Sequence, residues 1–352
     1  MRSLNRTPIA EIRERTYKSR DAWWTVLLVD PVAVHLVRWV APYRWITPNR
    51  LSFLAALIGL GSAACFWLVT PWWLVAGAVL FHIAFVIDCM DGKVARLNGT
   101  GSVFGSWLDY MLDRIRVVTC TVTLVGGQWR ATGEDYWLIL GGVIVFLEMF
   151  HNLNSREVAR TKGKMRNQLS SLHRRMAVAE GRDPGMKPRF VEEVMKEVPG
   201  GQATDADLEG VNRTVVDLNE DFRSRFSAFV RFRNALRRSR IRPNLVSTIE
   251  FAMGVFIVAP IAGAIGGRGW LVGVILATSA LVLMFDLAII YKLYLSTKGF
   301  ERERAKLLVQ VEEAEAKAEA EAAAEAGVPG PDGAIGTDPA TQPPNALRPV
   351  SR

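Results

Sequence analysis

Six apolar stretches of roughly membrane-spanning length, separated by basic clusters, constrain this chain more than any other feature. They fall at about 51–70, 72–91, 103–126, 135–153, 245–266 and 270–295, and about twenty apolar residues suffice to cross the hydrocarbon core of a bilayer. A soluble α/β protein does not concentrate its apolar residues in this way. The expected fold class is therefore an all-α membrane protein with six transmembrane helices. The stretch from Trp23 to Ile46 is interrupted by Asp30-Pro31 and again by Arg38, Pro42 and Arg44. That pattern predicts an interfacial amphipathic helix lying along the membrane surface ahead of the six spans.

Charge assigns the sides. The net charge of +8 arises mostly from basic residues beside the apolar spans, where they set orientation and meet anionic headgroups, so no nucleic acid is expected as a partner. The N-terminal arm up to Arg50 carries nine Lys and Arg, and the segment 154–243 carries twenty against twelve Asp and Glu. The alternate connections hold at most one basic residue each, Arg130 and Arg268 among them. The positive-inside rule then makes the protein a multi-pass integral membrane protein with both termini cytoplasmic. About twenty polar residues precede the first apolar stretch, so no cleaved secretory leader is expected.

The expected organisation is an arm and interfacial helix over 1–49, helices one to four over 50–153, a charged cytosolic insertion over 154–243, helices five and six over 244–296, a charged helix over 297–326 and a disordered tail over 327–352. Within the insertion, helix is expected over 156–179 and 208–238, with a loose, Gly- and Pro-rich centre at 181–207. Cys65, Cys89 and Cys120 lie apart in apolar context, as small core residues and not as a disulfide framework or a zinc site.

The chemistry concentrates where the second span ends and the third begins. Asp88-Cys89-Met90-Asp91-Gly92-Lys93-Val94-Ala95-Arg96 is followed, eight residues later, by Gly105-Ser106-Trp107-Leu108-Asp109-Tyr110-Met111-Leu112-Asp113. Carboxylates at the edge of apolar helices need a cation or a wet cavity. Spacings of three and four put Asp88 with Asp91, and Asp109 with Asp113, on one face of each helix. A short connection lets the two helices pack as antiparallel neighbours, and facing carboxylate pairs form an oxygen-rich site for Mg²⁺ or Mn²⁺, with room for two ions. Gly105, one turn before Asp109, admits either a substrate or a neighbouring helix. Gly92 and Ala95 allow the same two readings. Arg96 offers a forked donor to phosphate oxygens or to a lipid headgroup.

Taken together, Asp-x-x-Asp-Gly-x-x-Ala-Arg, eight residues, Gly-x-x-x-Asp-x-x-x-Asp resembles the signature of the CDP-alcohol phosphotransferase family, with all eight fixed residues present over 26 positions. The resemblance covers about 45–295 and leaves the insertion and tail unexplained. It implies that Asp88, Asp91, Asp109 and Asp113 bind metal with the donor diphosphate and that Asp113 is the general base. It further implies that Gly92, Ala95, Arg96 and Gly105 border the nucleotide, with Pro48 and Asn49 nearby, although a Pro-Asn pair also simply starts a helix. The activity implied is metal-dependent transfer of a phosphoalcohol group from a CDP-alcohol, CDP-diacylglycerol first among donors, to an acceptor alcohol, with release of CMP. A polyol phosphate such as inositol phosphate or glycerol phosphate leads the acceptors, the site faces the cytoplasm among membrane lipids, and a homodimer is implied.

Other ionisable residues lie inside spans. His82 is expected to pack. Glu148 and Glu250 sit at a depth an acceptor could reach, and Asp286 is placed to pair with Arg114 or Arg116. Arg156, Arg160, Arg242 and Lys292 are either acceptor contacts or lipid contacts. Asn98-Gly99-Thr100 matches a glycosylation sequon on the wrong side of the membrane for use. Two other classes would suit facing aspartates: a divalent-cation transporter, which has no need of the Gly-x-x-Ala-Arg elements, and an inactive scaffold of the same fold, which the loss of a motif aspartate would have favoured, and none is lost.

Overall fold

The computed structural model describes residues 8–43, 45–183, 185, 189–190, 215–216, 239–242 and 244–325. Expectations for most of the helix over 208–238, most of the loose centre of the insertion and the tail from 327 fall outside the described residues; at Val215–Val216, inside the expected helix, the chain is instead strand.

The described chain is helical apart from a pair of two-residue parallel strands, Arg189–Phe190 and Val215–Val216. Helix α1 (Ile9–Thr16) leads to a π-helical turn (Thr25–Val29) that runs straight into α2 (Asp30–Val40). Asp30-Pro31 therefore does not interrupt the helix. Proline supplies no N–H to the preceding turn and its ring crowds that turn's carbonyl, and the wider π-turn just before it absorbs both effects. The same arrangement recurs where α7 (Thr248–Met253) passes through a π-turn (Gly254–Val258) into α8 (Ala259–Gly266), which carries Pro260 in its first turn.

Helices α3 (Pro48–Trp67) and α4 (Pro71–Asn98) each begin with proline after an extended threonine, the position where a missing N–H costs nothing. Helix α4 ends at Gly99, whose φ of 64° is a left-handed cap that glycine adopts without a Cβ penalty. The sequon is thus a helix stop. Helix α5 (Val103–Thr132) is capped by Ser102, whose Oγ accepts from the Gly105 N–H at 2.9 Å. Helices α6 (Tyr136–Ala179) and α9 (Arg268–Glu325) are single unbroken helices of 44 and 58 residues, so positions 153/154 and 296/297 lie inside helices.

Among the described residues, five helical stretches are long and apolar enough to cross a membrane: Pro48–Trp67, Pro71–Asn98, Tyr136–Ala179, Thr248–Gly266 and Arg268–Ala324. The expected third span forms as α5 but is not among them, because it also carries Asp109, Asp113, Arg114 and Arg116.

The chain divides into two compact units, one within 1–167 and 188–302, the other within 168–187 and 303–352. In the first unit α3 is central, packed against both α4 and α5. It runs antiparallel to α4, where the Ser62 hydroxyl donates to the Gly77 carbonyl at 2.7 Å and Phe66 fills the space a Cβ on Gly77 would need. It runs parallel to α5, with Asn49 beside Gly105, Gly59 beside Arg116 and Phe66 beside Gly127. Small residues permit these close seams. The expectation that α4 and α5 pack along one another is corrected here: α3 takes the backbone contact with both, and α4 and α5 meet mainly through side chains at the motif. The core is completed by Phe81 and Phe256, with ring centroids 4.8 Å apart. In the second unit, Arg175 on α6 forms a two-pronged pair with Glu315 on α9 at 3.1 and 2.9 Å.

The N-terminal elements dock on α4. Ala33, Val34 and Val37 of α2 are fully buried, while Leu27, Leu28, Val32, Leu36 and Trp39 are exposed. Asp30 is buried with Lys93 of α4 at 2.9 Å and Arg240 at 3.2 Å. The Arg240 guanidinium stacks 4.2 Å from the Tyr17 ring, and Asp21 bridges to Ile241.

Candidate functional site

The signature helices bring three of the four motif aspartates together. Asp88 and Asp91, one turn apart near the C-terminus of α4, and Asp109 on α5 each present an oxygen within 4.8 Å of the others. The Ser52 hydroxyl, one turn into α3, donates a short hydrogen bond to Asp91. Asp109 Oδ1 is buried without a protein partner. A buried carboxylate oxygen left unpaired is costly, and oxygens on opposite sides of a small octahedral cation stand about 4 Å apart, twice a metal–oxygen distance of ~2.0–2.1 Å. The donor set, its spread and the orphaned oxygen fit one hard divalent cation.

Asp113 stands differently. One turn beyond Asp109, its carboxylate is bound by Arg114 at 2.7 Å and, on the other oxygen, by a short contact with Arg116. Arg116 also reaches Asp88 at 3.5 Å. Arg114 passes its charge on to Glu148 of α6 through a short ion pair, and Asn152 donates to the Glu148 backbone carbonyl at 2.8 Å. Of this group Asp113 is the accessible one, its side chain 30% exposed against 19% for Asp88 and 3% for Glu148.

A cleft of about 370 Å³ borders the aspartates, lined by Pro48, Asn49, Ser52, Asp91, Gly92, Ala95, Thr100, Gly101, Ser102, Gly105, Ser106 and Asp109. It shares Pro48, Asn49, Thr100 and Ser102 with a second cleft of about 900 Å³ that extends to Ala41, Ile46 and Asn98. The reason for Gly105 is now visible: a Cβ there would lie 2.9 Å from both Asn49 Oδ1 and Ser102 Oγ. The guanidinium of Arg96 lies over Gly92, and its Nε donates to the Thr16 carbonyl at 2.9 Å.

The remaining sequence candidates are tied into the fold. Asp286 does not pair with Arg114 or Arg116. It is completely buried, lies 2.9 Å from His151 Nδ1 and accepts a hydrogen bond from Asn154 at 3.1 Å, because α9 presents it to these residues of α6. Glu250 closes a capping box with Ser247, and His82 meets Trp24 edge-on. Arg156 stacks 4.2 Å from the Tyr110 ring, Arg160 pairs with Glu157 at 3.7 Å, and Arg242 pairs with Asp21 at 3.6 Å. Sequence reasoning missed Ser52, Ser102 and the Arg116 bridge. Ser102, an N-cap residue three before Gly105, carried a readable signal. Ser52 and Arg116 carried none beyond being polar in apolar runs.

Comparison with known proteins matches residues 45–169 to the family model for CDP-alcohol phosphatidyltransferase. A CDP-diacylglycerol–glycerol-3-phosphate 3-phosphatidyltransferase of Cereibacter sphaeroides is 37% identical over 109 residues, 30% of this chain and 48% of that protein. A phosphatidylinositol phosphate synthase of Corynebacterium glutamicum is 35% identical over 89 residues, 25% of this chain and 37% of that protein. An archaetidylinositol phosphate synthase of Pyrococcus horikoshii is 40% identical over 70 residues, 20% of this chain and 36% of that protein. The chain thus spans less than half the length of these relatives.

Proposed function

We propose, from the premise that residues 45–169 form a CDP-alcohol phosphatidyltransferase domain, that this protein transfers a phosphoalcohol group from a CDP-alcohol to an acceptor hydroxyl and releases CMP. The observation that carries the reading is the cleft itself: Asn49, Asp91, Gly92, Ala95, Gly105 and Asp109, far apart in sequence, line one wall-to-wall surface beside the three-aspartate cluster.

Asp88, Asp91 and Asp109 would hold Mg²⁺ or Mn²⁺, with Asp113 beside them and a count of two ions proposed from the four carboxylates. Such cations, when bound, neutralise diphosphate charge and hold the reacting oxygens in line. The protein supplies the rest. Gly92 and Ala95 leave the cleft wall without bulk, so the nucleotide diphosphate approaches backbone, and Gly105 borders it by making room for Asn49 and Ser102. Arg96 offers its terminal nitrogens to phosphate oxygens, and Asn49 lies where a base or ribose would be held. Asp113, the accessible carboxylate, takes the proton from the acceptor hydroxyl. The acceptor oxygen bonds to the phosphorus that carries the alcohol, the bond from that phosphorus to CMP breaks, and CMP leaves with the electron pair.

The preferred donor is CDP-diacylglycerol and the preferred acceptor a polyol phosphate. The names of the relatives support both, since one names CDP-diacylglycerol and glycerol-3-phosphate and two others are synthases of phosphatidylinositol phosphate and archaetidylinositol phosphate. Helix α5 is counted as the sixth span because it packs along α3 and its Asp113, Arg114 and Arg116 pair within the bundle. The basic excess of segment 154–243 supports a cytoplasmic site and termini, α2 with its exposed apolar face lies at the interface, and the homodimer rests on the family resemblance.

The test is CMP release by purified protein from CDP-diacylglycerol with Mg²⁺ across a panel of polyol phosphates, beside Asp113→Asn. Acceptor-dependent release that drops by about 10²–10⁴-fold in the variant is the expected result. Absence of release with every CDP-alcohol donor and acceptor tried would overturn it.

A further inference from the structure

Arg116 is the residue of this site that the signature leaves unspecified and the structure uses most heavily. It is nearly completely buried, and its guanidinium spans the two helices, touching Asp88 of α4 at 3.5 Å and Asp113 of α5 by a short contact. The Phe81 ring backs it at 5.6 Å. Its aliphatic stem lies in a slot in α3 made by Gly59: a Cβ on that glycine would fall 2.7 Å from Arg116 Cδ and 2.9 Å from Cγ. These are atoms in the middle of the side chain, so they cannot yield without moving the guanidinium.

We infer that Gly59 and Arg116 act together as a positioning device for the transfer reaction, with Arg116 a fixed internal counter-cation that aims Asp113 and tethers Asp88. This deepens the transferase reading and rests on it. Of the five carboxylates of Asp88, Asp91, Asp109, Asp113 and Glu148, the ion pairs among the described residues serve Asp88, Asp113 and Glu148, through Arg114 and Arg116. A divalent cation, when bound, would satisfy the Asp88, Asp91 and Asp109 end, whereas the Asp113 end is served by guanidinium groups that do not dissociate. A fork that engages two carboxylates at once fixes their separation, which an ammonium on a flexible stem does not. Arg116 touches neither cleft, so it acts through Asp113 and Asp88.

The test uses full-length protein carrying Arg116→Met, Arg116→Lys or Gly59→Ala, the last of which keeps every charge and displaces only the arginine. Mn²⁺ binding is read by electron paramagnetic resonance without donor or acceptor, melting temperature is followed in the same detergent, and kcat and KM come from CMP release. In Arg116→Met, Mn²⁺ is expected to bind as tightly as in wild type or tighter, because a competing cation is gone. Its kcat should fall roughly 100-fold, the scale of a misaimed catalytic group. Arg116→Lys should return Mn²⁺ binding to the wild-type value while kcat recovers only in part. Gly59→Ala should lower kcat by about tenfold with Mn²⁺ binding unmoved. Equal losses of Mn²⁺ affinity and kcat in Arg116→Met, or wild-type kcat in Gly59→Ala, would overturn the inference, and Gly59→Ala decides alone if Arg116→Met does not fold. A wild-type protein that binds Mn²⁺ but releases no CMP would instead remove the transferase reading beneath it.

Discussion

Two buried charge clusters sit two residues apart on α4 and are built on opposite plans. At Lys93 the plan is closed. Asp30 meets Lys93 with one oxygen and Arg240 with the other, the Tyr17 hydroxyl donates to the Asp30 backbone carbonyl at 3.3 Å, and Arg240 holds a left-handed φ of 61° while its guanidinium also donates to the Lys18 carbonyl at 3.1 Å. At Asp91 the plan is open: carboxylates outnumber cations, and Asp109 keeps a buried oxygen with no protein partner. Burial is expensive for any charge, so the closed cluster reads as an internal fastener, tying the N-terminal elements and Arg240 to α4. The open cluster reads as a receptor whose missing counter-charge comes from outside.

Removing the divalent cation sharpens this contrast most. Chelation is expected to abolish CMP release and to leave the melting temperature dominated by the fold, with activity restored on adding Mg²⁺; full activity in chelator would end the metal reading. Next comes stability. Asp30→Ala strands the buried Lys93 ammonium and removes one partner of the part-exposed Arg240, and should cost about 3–5 kcal/mol. Asp109→Asn relieves crowding among carboxylates and should leave the melting temperature unchanged or raised while Mn²⁺ binding is lost. Melting curves that place the two variants the other way round would break the comparison. Ser52→Ala withdraws the hydroxyl that orients Asp91 and should weaken Mn²⁺ binding by about 10–100-fold, measured by titration. The smallest effect belongs to a pair outside both clusters: Arg175→Ala removes a half-exposed ion pair with Glu315 and should change stability by only about 0.2–1 kcal/mol.

What the sequence disclosed, it disclosed through short-range periodicity. Spacings of three and four put Asp88, Asp91 and Asp109 on faces that converge, and Gly105 beside them was marked as a place of close approach, which Asn49 and Ser102 turn out to make. The long apolar helices were visible for the same reason. Contacts made at long range were not visible. Ser52 meets Asp91 across 39 residues, Arg96 reaches Thr16 across 80, Arg240 reaches Asp30 across 210 and Trp23 reaches Leu245 across 222. No periodicity encodes such meetings, because they depend on which helix faces which. That is also why α3, and not α5, proved to hold the close backbone packing of α4, and why Asp286 lies against His151 rather than an arginine. The π-turns ahead of Pro31 and Pro260 were hidden for a local reason: a proline in the sequence signals a break whether or not the turn before it widens to keep the helix going.

The slot at Gly59 carries an inheritance rule as well as a geometry. Any side chain at that position collides with the stem of Arg116, and a shorter residue at 116 leaves the slot empty. The two sites therefore cannot drift independently: an ancestor that acquired the arginine needed the glycine first, and a descendant that loses the arginine is released from keeping it. Among sequences carrying this signature, a bulky residue aligned with position 59 is expected only where arginine is absent at the position aligned with 116, so that the pair marks a lineage within the fold and not the fold itself.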